Sequence, residues 1–344
     1  MDSDAAEPFT YHGGSVAPGE TVNIRYTVSE TYLGDPIRIP VTIINGDHPG
    51  PTACLTAATH GDELNGIEVV RVVAHEWDHE DLRGTIVCLP VVNVPGFLSQ
   101  QRYLPILDRD LNRSFPGNET GTSAKRMANR IFRNFIEPCD FVLDFHTSTR
   151  GRNNMLHVRG DMSNEGVNRL GRAFGSNVII DSEGPPGSLR REATNVGVPA
   201  VTVEMGQAHR FQPVLIDQAL TGVESVFAEF DMRRTAAVHW PGWRTIIDGD
   251  REKTWLRADS GGIVNMHYDG GSLVYEGDTI CTISNPFMTD RDRITAPFTG
   301  LLVGLLENPV VYPGNPICHL IELDQKTLRV IERGQSGAQL DGET

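Results

Sequence analysis

Apolar runs alternate with amphipathic segments in the first two thirds of the chain, and this pattern predicts an α/β domain. Continuous apolar runs at Ile39–Ile44, Ala53–Ala58 and Thr85–Val92 are typical of buried strands. Between the last two runs, apolar residues recur every three or four positions from Asn65 to His79, which predicts an amphipathic helix. A strand, a helix and a strand in direct succession form a βαβ unit, so we expect a mixed, mostly parallel sheet flanked by helices.

The same alternation continues as far as Asp231. The further elements that it predicts are a helix at Ser123–Phe135, a strand at Phe141–Phe145, helices near Glu165–Phe174 and Pro213–Phe230, and a strand at Ala200–Val203. We therefore assign residues 1–235 to one α/β domain.

The pattern changes beyond residue 235, where short apolar strands alternate with turns rich in Gly, Asp and Pro. We assign residues 236–332 to a small β domain, in which residues 274–281 form a weak repeat with residues 311–318. A twofold repeat of this kind resembles the barrel-sandwich fold of lipoyl and biotinyl carrier domains. Those carriers present a lysine, and the lack of lysine between Lys253 and Lys326 argues against a carrier role. Residues 333–344 are polar and Gly-rich, and we expect a flexible tail there.

The charge balance excludes some classes of partner. The 344 residues include 45 acidic and 30 basic ones, and a net charge of −15 makes nucleic acid a poor partner. The sequence contains no apolar run long enough for a transmembrane helix and no leader-like N-terminus, so we expect a cytoplasmic protein without a membrane contact. Few of the basic residues are lysines, which is compatible with a high-salt cytoplasm or with a GC-rich genome.

Candidate metal ligands follow two of the predicted strands. The run Thr59-His60-Gly61-Asp62-Glu63 comes directly after Ala53–Ala58, and a His and a Glu three positions apart can bind one metal ion. A third ligand should come from another strand end, and His146 follows the apolar run that ends at Phe145. Two His and one Glu with a water form an open catalytic zinc site. The alternative is that each is a polar loop residue.

Further candidates are a carboxylate and a group of cations. Glu204 ends the apolar strand at Ala200–Val203, where it could be a general base or an ion-paired structural residue. In Asp110-Leu111-Asn112-Arg113, the arginine could bind a substrate carboxylate with two hydrogen bonds, and Asn112 could add a third. Arg102, eight residues before Asp110, could do the same or polarise a carbonyl group. The alternative for each arginine is a surface position on a long loop.

In order and rough spacing, His60-Gly61-Asp62-Glu63, Asp110-Leu111-Asn112-Arg113, His146 and Glu204 resemble the succinylglutamate desuccinylase/aspartoacylase family, a branch of the zinc carboxypeptidase-like fold. The resemblance spans about residues 39–231, and the small β domain is similar to the family's C-terminal domain. It implies a zinc-dependent catalytic domain in residues 1–235. The site residues that it implies are His60, Glu63 and His146 for one zinc ion per chain, Glu204 as the base, and Asn112, Arg113, Arg102 and Arg190 for the substrate.

These observations leave several functions open. The first is a zinc amidohydrolase that removes the acyl group from an N-acyl amino acid or a related amine. The second is a metallocarboxypeptidase acting on short peptides, since the same metal chemistry would serve both reactions. The third is a zinc-containing binding protein without turnover, and a fourth makes the β domain a docking module for a partner enzyme. We expect a small-molecule substrate, and a homo-oligomer is possible.

Overall fold

The computed structural model describes residues 6–105, 108–149, 151–233, 235–289 and 291–341. The α-helices in these ranges are α1 (Asn65–Glu76), α2 (Val94–Leu98), α3 (Ser123–Ile131), α4 (Glu165–Ala173), α5 (Leu189–Asn195), α6 (Pro213–Glu229) and α7 (Gln325–Asp341). One turn of π-helix extends α3 at Phe132–Ile136, and short 3-10 turns lie at His79–Asp81 and Leu111–Arg113.

The strands of the N-terminal part are β1 (Phe9–Tyr11), β2 (Gly14–Val16), β3 (Glu20–Glu30), β4 (Pro36–Asn45), β5 (His48–Ala57), β6 (Arg83–Leu89), β7 (Phe141–Ser148), β8 (Arg152–Gly160), β9 (Val178–Asp181) and β10 (Ala200–Gln207). Those of the C-terminal part are β11 (Thr245–Ile247), β12 (Lys253–Arg257), β13 (Gly262–Met266), β14 (Leu273–Val274), β15 (Thr279–Ser284), β16 (Arg291–Thr295), β17 (Gly300–Leu306), β18 (Val310–Val311) and β19 (Pro316–Glu322).

A large mixed sheet forms the centre of the fold, with the main order β12-β19-β17-β8-β10-β7-β5-β6-β4-β3. Its four middle strands, β10, β7, β5 and β6, run parallel, and antiparallel strands extend it on both sides. Apolar side chains of α1, α4 and α6 pack with one set of strand residues, and those of α3 and α5 pack with the other. The predicted mixed α/β architecture flanked by helices is therefore confirmed.

Local signals explain where several elements begin and end. Asn164 caps α4, since its Oδ1 accepts a hydrogen bond from the Val167 N–H at 3.1 Å. Pro213 opens α6, where a missing N–H leaves no helical hydrogen bond unmade. The first helix ends at Glu76 rather than at His79, because Trp77 has an extended backbone. The sequence pattern misses several elements, and one of them is β8, whose polar residues do not show the alternation of a half-buried strand.

The predicted small β domain is present. Its four-stranded sheet has the order β16-β15-β13-β18, while β12, β19 and β17 continue the large sheet through pairing of β17 with β8. The repeat in the sequence corresponds to two matching turns, in which Gly277 and Gly314 have φ values of +86° and +85°. A positive φ favours glycine, which explains why both copies of the repeat contain it.

The boundaries at residues 235 and 332 stay predictions, because the large sheet runs through both parts of the chain. The helix α7 continues to Asp341 and so includes most of the predicted tail, whose flexibility stays a prediction; residues 342–344 lie outside the described residues.

Among the described residues, the structure has no helix with the length and apolar character needed to cross a membrane.

Candidate metal and substrate site

The three candidate metal ligands meet at the carboxyl ends of β5 and β7. His60 and Glu63 lie in the tight turn after β5, and His146 lies in β7. The Nδ1 atom of His60 is 2.9 Å from Glu63 Oε1, and the Nδ1 atom of His146 is 2.9 Å from Glu63 Oε2. One ligand atom of each residue lies within 4.8 Å of the other two, and all three side chains are buried. This is a spacing at which three groups can hold one metal ion.

The turn that places His60 and Glu63 depends on a glycine. A Cβ atom on Gly61 would lie 2.1 Å from the carbonyl carbon of Gly96, at the start of α2. Such a contact is far inside van der Waals distance, so a larger residue would force the two backbone segments apart. The close approach of this turn to α2 fixes the positions of the two flanking ligand residues.

Each of the two imidazole rings also contacts one carboxylate through its Nε2 atom, the ring nitrogen that is not directed at Glu63. The Nε2 atom of His60 is 3.1 Å from Asp110 Oδ1, and that of His146 is 2.8 Å from Asp144 Oδ2. A proton held on Nε2 leaves the lone pair of Nδ1 free for a metal, and carboxylates in this place orient ligating histidines. The side chains of His60, His146, Asp110 and Asp144, together with that of Glu63, therefore fit a metal site. The sequence analysis missed these roles, although the i, i+2 spacing of Asp144 and His146 puts both on one face of a strand.

The charges in the cluster are strongly coupled. Burial alone would raise the pKa of Glu63, but His60 and His146 hold it well below its ordinary value. Burial disfavours the charged form of His146, yet Asp144 and Glu63 raise its pKa well above the ordinary value. Burial would also raise the pKa of Asp110, whereas the hydrogen bond with His60 lowers it to about 2. The cluster thus keeps Glu63 and Asp110 ionised, as a metal ligand and its support must be.

Glu204 lies beside this cluster. It is in β10, and the parallel register pairs it with His146 in β7. Its Oε2 atom accepts a hydrogen bond from the Asn154 Nδ2 group at 3.0 Å. Glu204 and the three candidate ligands line one cavity of about 270 Å³, so a base at Glu204 would act on a molecule held beside the metal position.

The predicted substrate residues line the same cavity, and each has a local partner. Arg102 Nη1 is 2.7 Å from Glu63 Oε1, and Arg113 Nη1 donates to the backbone oxygen of Asn112 at 2.7 Å. The Asn112 Oδ1 atom accepts a hydrogen bond from the Leu189 N–H at 2.8 Å. Since Leu189 begins α5, Asn112 also fixes the start of the helix that presents the next residue, Arg190.

Arg190 is buried, and both Arg159 and the carboxylates of Glu204 and Asp144 influence its charge. Its Nη2 group donates to the Ser182 backbone oxygen at 3.1 Å, while its Nε group and the Ser188 hydroxyl have no hydrogen-bond partner among the described residues. Burial and the neighbouring charge of Arg159 lower the pKa of Arg190 to about 10. Arg152 and Arg159, which the sequence analysis did not single out, also line the cavity. Five guanidinium groups at one cavity favour an anionic ligand.

The C-terminal β domain forms another part of the cavity wall. The Trp255 and His319 side chains, which are cross-strand partners in β12 and β19, stack with ring centroids 4.8 Å apart. The guanidinium of Arg152 lies 4.7 Å from the centroid of Trp255. Burial and the charge of Arg159 lower the pKa of His319 to about 4, so this ring is neutral near pH 7. No motif marks these residues, because their place depends on pairing between distant strands.

Comparisons with known proteins show which family of sequences the chain is similar to. The family model described as the succinylglutamate desuccinylase/aspartoacylase catalytic domain matches residues 49–230. The N-alpha-acetyl-L-2,4-diaminobutyric acid deacetylase of Halomonas elongata is 35% identical over 114 residues, which are 33% of this chain and 33% of that protein. The match thus spans about a third of the length of this curated relative.

Solved structures share the fold over nearly the whole chain. The product-bound ectoine utilization protein EutE (DoeB) from Ruegeria pomeroyi has a TM-score of 0.77 and 21% identity, covering 92% of this chain and 99% of that chain. A succinylglutamate desuccinylase from Silicibacter also has a TM-score of 0.77, with 23% identity, 94% of this chain and 100% of that chain. The similarity includes the C-terminal part, which lies outside the range of the family match.

Proposed function

The chain belongs to the succinylglutamate desuccinylase/aspartoacylase family, and on that basis we propose that it is a zinc-dependent deacylase of N-acyl amino acids or related carboxylate-bearing N-acyl amines. The observation that carries this proposal is the shared cavity of the His60, Glu63 and His146 cluster and the Glu204 carboxylate. The Halomonas relative is named for removing an acetyl group from an amino acid, which supports the reaction class.

We propose that His60, Glu63 and His146 hold one zinc ion per chain. Two imidazole nitrogens and a carboxylate suit zinc and leave a coordination position open. When bound, zinc would lower the pKa of a water molecule and polarise the carbonyl group of the scissile amide. Asp110 and Asp144 would keep the two imidazole rings in the orientation that directs Nδ1 toward the metal.

In this mechanism Glu204 moves the proton. Its carboxylate takes a proton from the attacking water and delivers it to the nitrogen of the leaving amine. Arg113 and Asn112 would bind the carboxylate of the amino acid, and Arg190 would add a buried donor on the same side of the cavity. Arg102 would stabilise the negative charge that develops on the carbonyl oxygen. The five arginines at the cavity support an acidic substrate of this kind.

The other functions have less support from the cavity. A carboxypeptidase must admit a peptide, whereas about 270 Å³ walled by Trp255 and His319 suits a small molecule. A binding protein with a structural zinc needs neither an open coordination position nor a carboxylate beside it. A homo-oligomer, a cytoplasmic location and a docking role of the β domain stay predictions.

Release of free amine from a panel of substrates tests the proposed function. We expect turnover of an N-acetyl, N-formyl or N-succinyl amino acid, with loss of at least 90% of the rate (roughly tenfold or more) after chelation and recovery on adding zinc. Unmodified short peptides serve as the comparison. Cleavage of the peptides alone would favour the carboxypeptidase, and binding of the acylated compounds without turnover would favour the binding protein.

Trp255 provides a separate test of the cavity wall. We expect Trp255→Ala to raise kcat/KM for an N-acyl dipeptide relative to the N-acyl amino acid by roughly tenfold, because removing the indole opens the cavity. The measurement compares initial rates on the two substrates. Trp240→Ala is a matched control, since this exposed tryptophan is not among the residues that line the cavity. An unchanged ratio in Trp255→Ala would show that Trp255 does not limit substrate length.

A further inference from the structure

Glu204 has a specific neighbour that neither its motif nor the family match assigns. Among the described residues, Asn154 is the one side chain that hydrogen bonds to the Glu204 carboxylate, through Nδ2 and Oε2 at 3.0 Å. Both side chains line the cavity that contains the metal ligands. A neutral amide donor can fix the direction of a carboxylate without adding a charge that would neutralise it. Asn154 is therefore placed to orient Glu204 rather than to react.

The strand pairing explains how Asn154 reaches this position. It lies in β8, between β10 and β17, where its cross-strand partners are Gly206 on one side and Gly304 on the other. The ladder between β8 and β10 is irregular between Glu204 and Gly206, and Gly206 has a φ of +75°. Such bulges redirect side chains near active sites. A Cβ atom at Gly206 would meet Gln212 and Asn65 instead of Asn154, so Gly304 is the glycine that leaves room for the Asn154 amide.

Gly304 belongs to the C-terminal β domain and lies against this amide. A Cβ atom at Gly304 would be 2.7 Å from Asn154 Oδ1 and 3.6 Å from the Cβ atom of His319. The first distance is too short for two atoms in contact, so any side chain at residue 304 must displace the Asn154 amide. His319 is the next residue in this cross-strand row, followed by Trp255. These cross-strand neighbours connect the C-terminal β domain, through Asn154, to the Glu204 carboxylate of the N-terminal domain.

We propose that Asn154 is a positioning residue that aims the Glu204 carboxylate, and that Gly304 of the C-terminal β domain keeps Asn154 in place. The inference rests on the proposed role of Glu204 as the base. A carboxylate on a flexible side chain gives efficient proton transfer only when neighbouring groups hold its orientation, and a shift of about 1 Å can lower a rate up to a hundredfold. The C-terminal domain thereby contributes to turnover as well as to the cavity wall.

Variants of Asn154 test the positioning role directly. We expect Asn154→Ala to lower kcat about tenfold while KM changes less than about twofold, because the proposed role of this amide is to orient Glu204 and not to bind substrate or metal. Asn154→Asp has nearly the same shape but, when ionised, accepts hydrogen bonds only and repels Glu204. We expect it to lose at least as much kcat as the alanine variant. A residue needed only for packing would tolerate aspartate better than alanine, and that result would overturn the proposal.

The link to the C-terminal domain is tested by a double-mutant cycle. We expect Gly304→Ala to lower kcat about fivefold on its own and to add nothing in the Asn154→Ala background, where no amide remains to be displaced. Zinc content and far-UV circular dichroism are measured for every variant. Asn153→Ala is the control on β8 because its side chain does not line the cavity. Gly270→Ala is the control for a C-terminal glycine, because an added Cβ there would make an ordinary contact at 3.9 Å with the Met155 backbone nitrogen. If the double variant lowers kcat by the product of the two single-variant factors, Gly304 does not act through Asn154 and the link to the C-terminal domain is overturned.

Kinetics of two variants separate the role of Asn154 from that of Glu204. If Glu204→Gln is inactive and Asn154→Ala has wild-type kcat, Glu204 remains the base and the positioning role is wrong. If Glu204→Gln keeps full activity, the proposed base is wrong and the role of Asn154 falls with it.

Discussion

Glu204→Gln is expected to lower kcat by about a thousandfold while leaving one metal ion on each chain. A glutamine has nearly the same size and can still pair with Asn154, but it cannot take a proton from water. General acid–base groups contribute roughly 10² to 10⁴ to the rate, and this residue would serve in both proton transfers. The measurement combines steady-state kinetics on the best N-acyl amino acid of the panel with elemental analysis of the purified protein.

The metal content determines how this result is interpreted. Glu204 is outside the three-residue cluster that could hold a metal, so its substitution should leave metal content unchanged. Glu192→Gln is a matched control, because this glutamate of α5 does not line the cavity. A Glu204→Gln protein with wild-type kcat would contradict the base assignment. A protein that had lost its metal would instead place Glu204 among the groups that hold the ion.

The position of the cluster could be predicted from the sequence for a simple physical reason. His60, Glu63, His146 and Glu204 each follow or end an apolar run, and the carboxyl ends of parallel strands meet at one edge of a sheet. The apolar runs also predict the central strands, which are buried along nearly their whole length. The helices are predicted by their amphipathic period instead. The local sequence pattern is therefore enough to predict the position of a residue that is fixed by the strand to which it belongs.

Other parts of the site depend on contacts that local pattern does not report. Asn154 lies on a strand whose polar residues conceal its period, because several of them face the cavity. Trp255 and His319 reach the site only through the pairing of β17 with β8, across about 150 residues of sequence. The outer carboxylates Asp110 and Asp144 are visible in the motifs, but the ring nitrogen that each one contacts is a property of the folded chain.

His60→Ala is expected to abolish metal binding and to reduce turnover to less than about a thousandth of the wild-type rate. Removing one of the three proposed ligands would leave Glu63 and His146 to hold the ion, and two protein ligands do not form a stable zinc site. The imidazole also separates Asp110 from Glu63, so its loss leaves two carboxylates facing a vacant space. The measurements are zinc per chain by elemental analysis and the melting temperature with and without added zinc.

The melting temperature separates a lost ligand from a lost fold. A metal that binds the native state raises its stability by mass action, so zinc should raise the Tm of the wild-type protein and leave that of His60→Ala unchanged. His75→Ala is a matched control, since His75 is an exposed histidine on α1 outside the cluster and should keep both the zinc and the Tm shift. A folded His60→Ala protein with one zinc ion per chain would refute the ligand set. In that case the convergence of His60, Glu63 and His146 would be a hydrogen-bonded network within the protein, and the proposed hydrolysis would need another metal position.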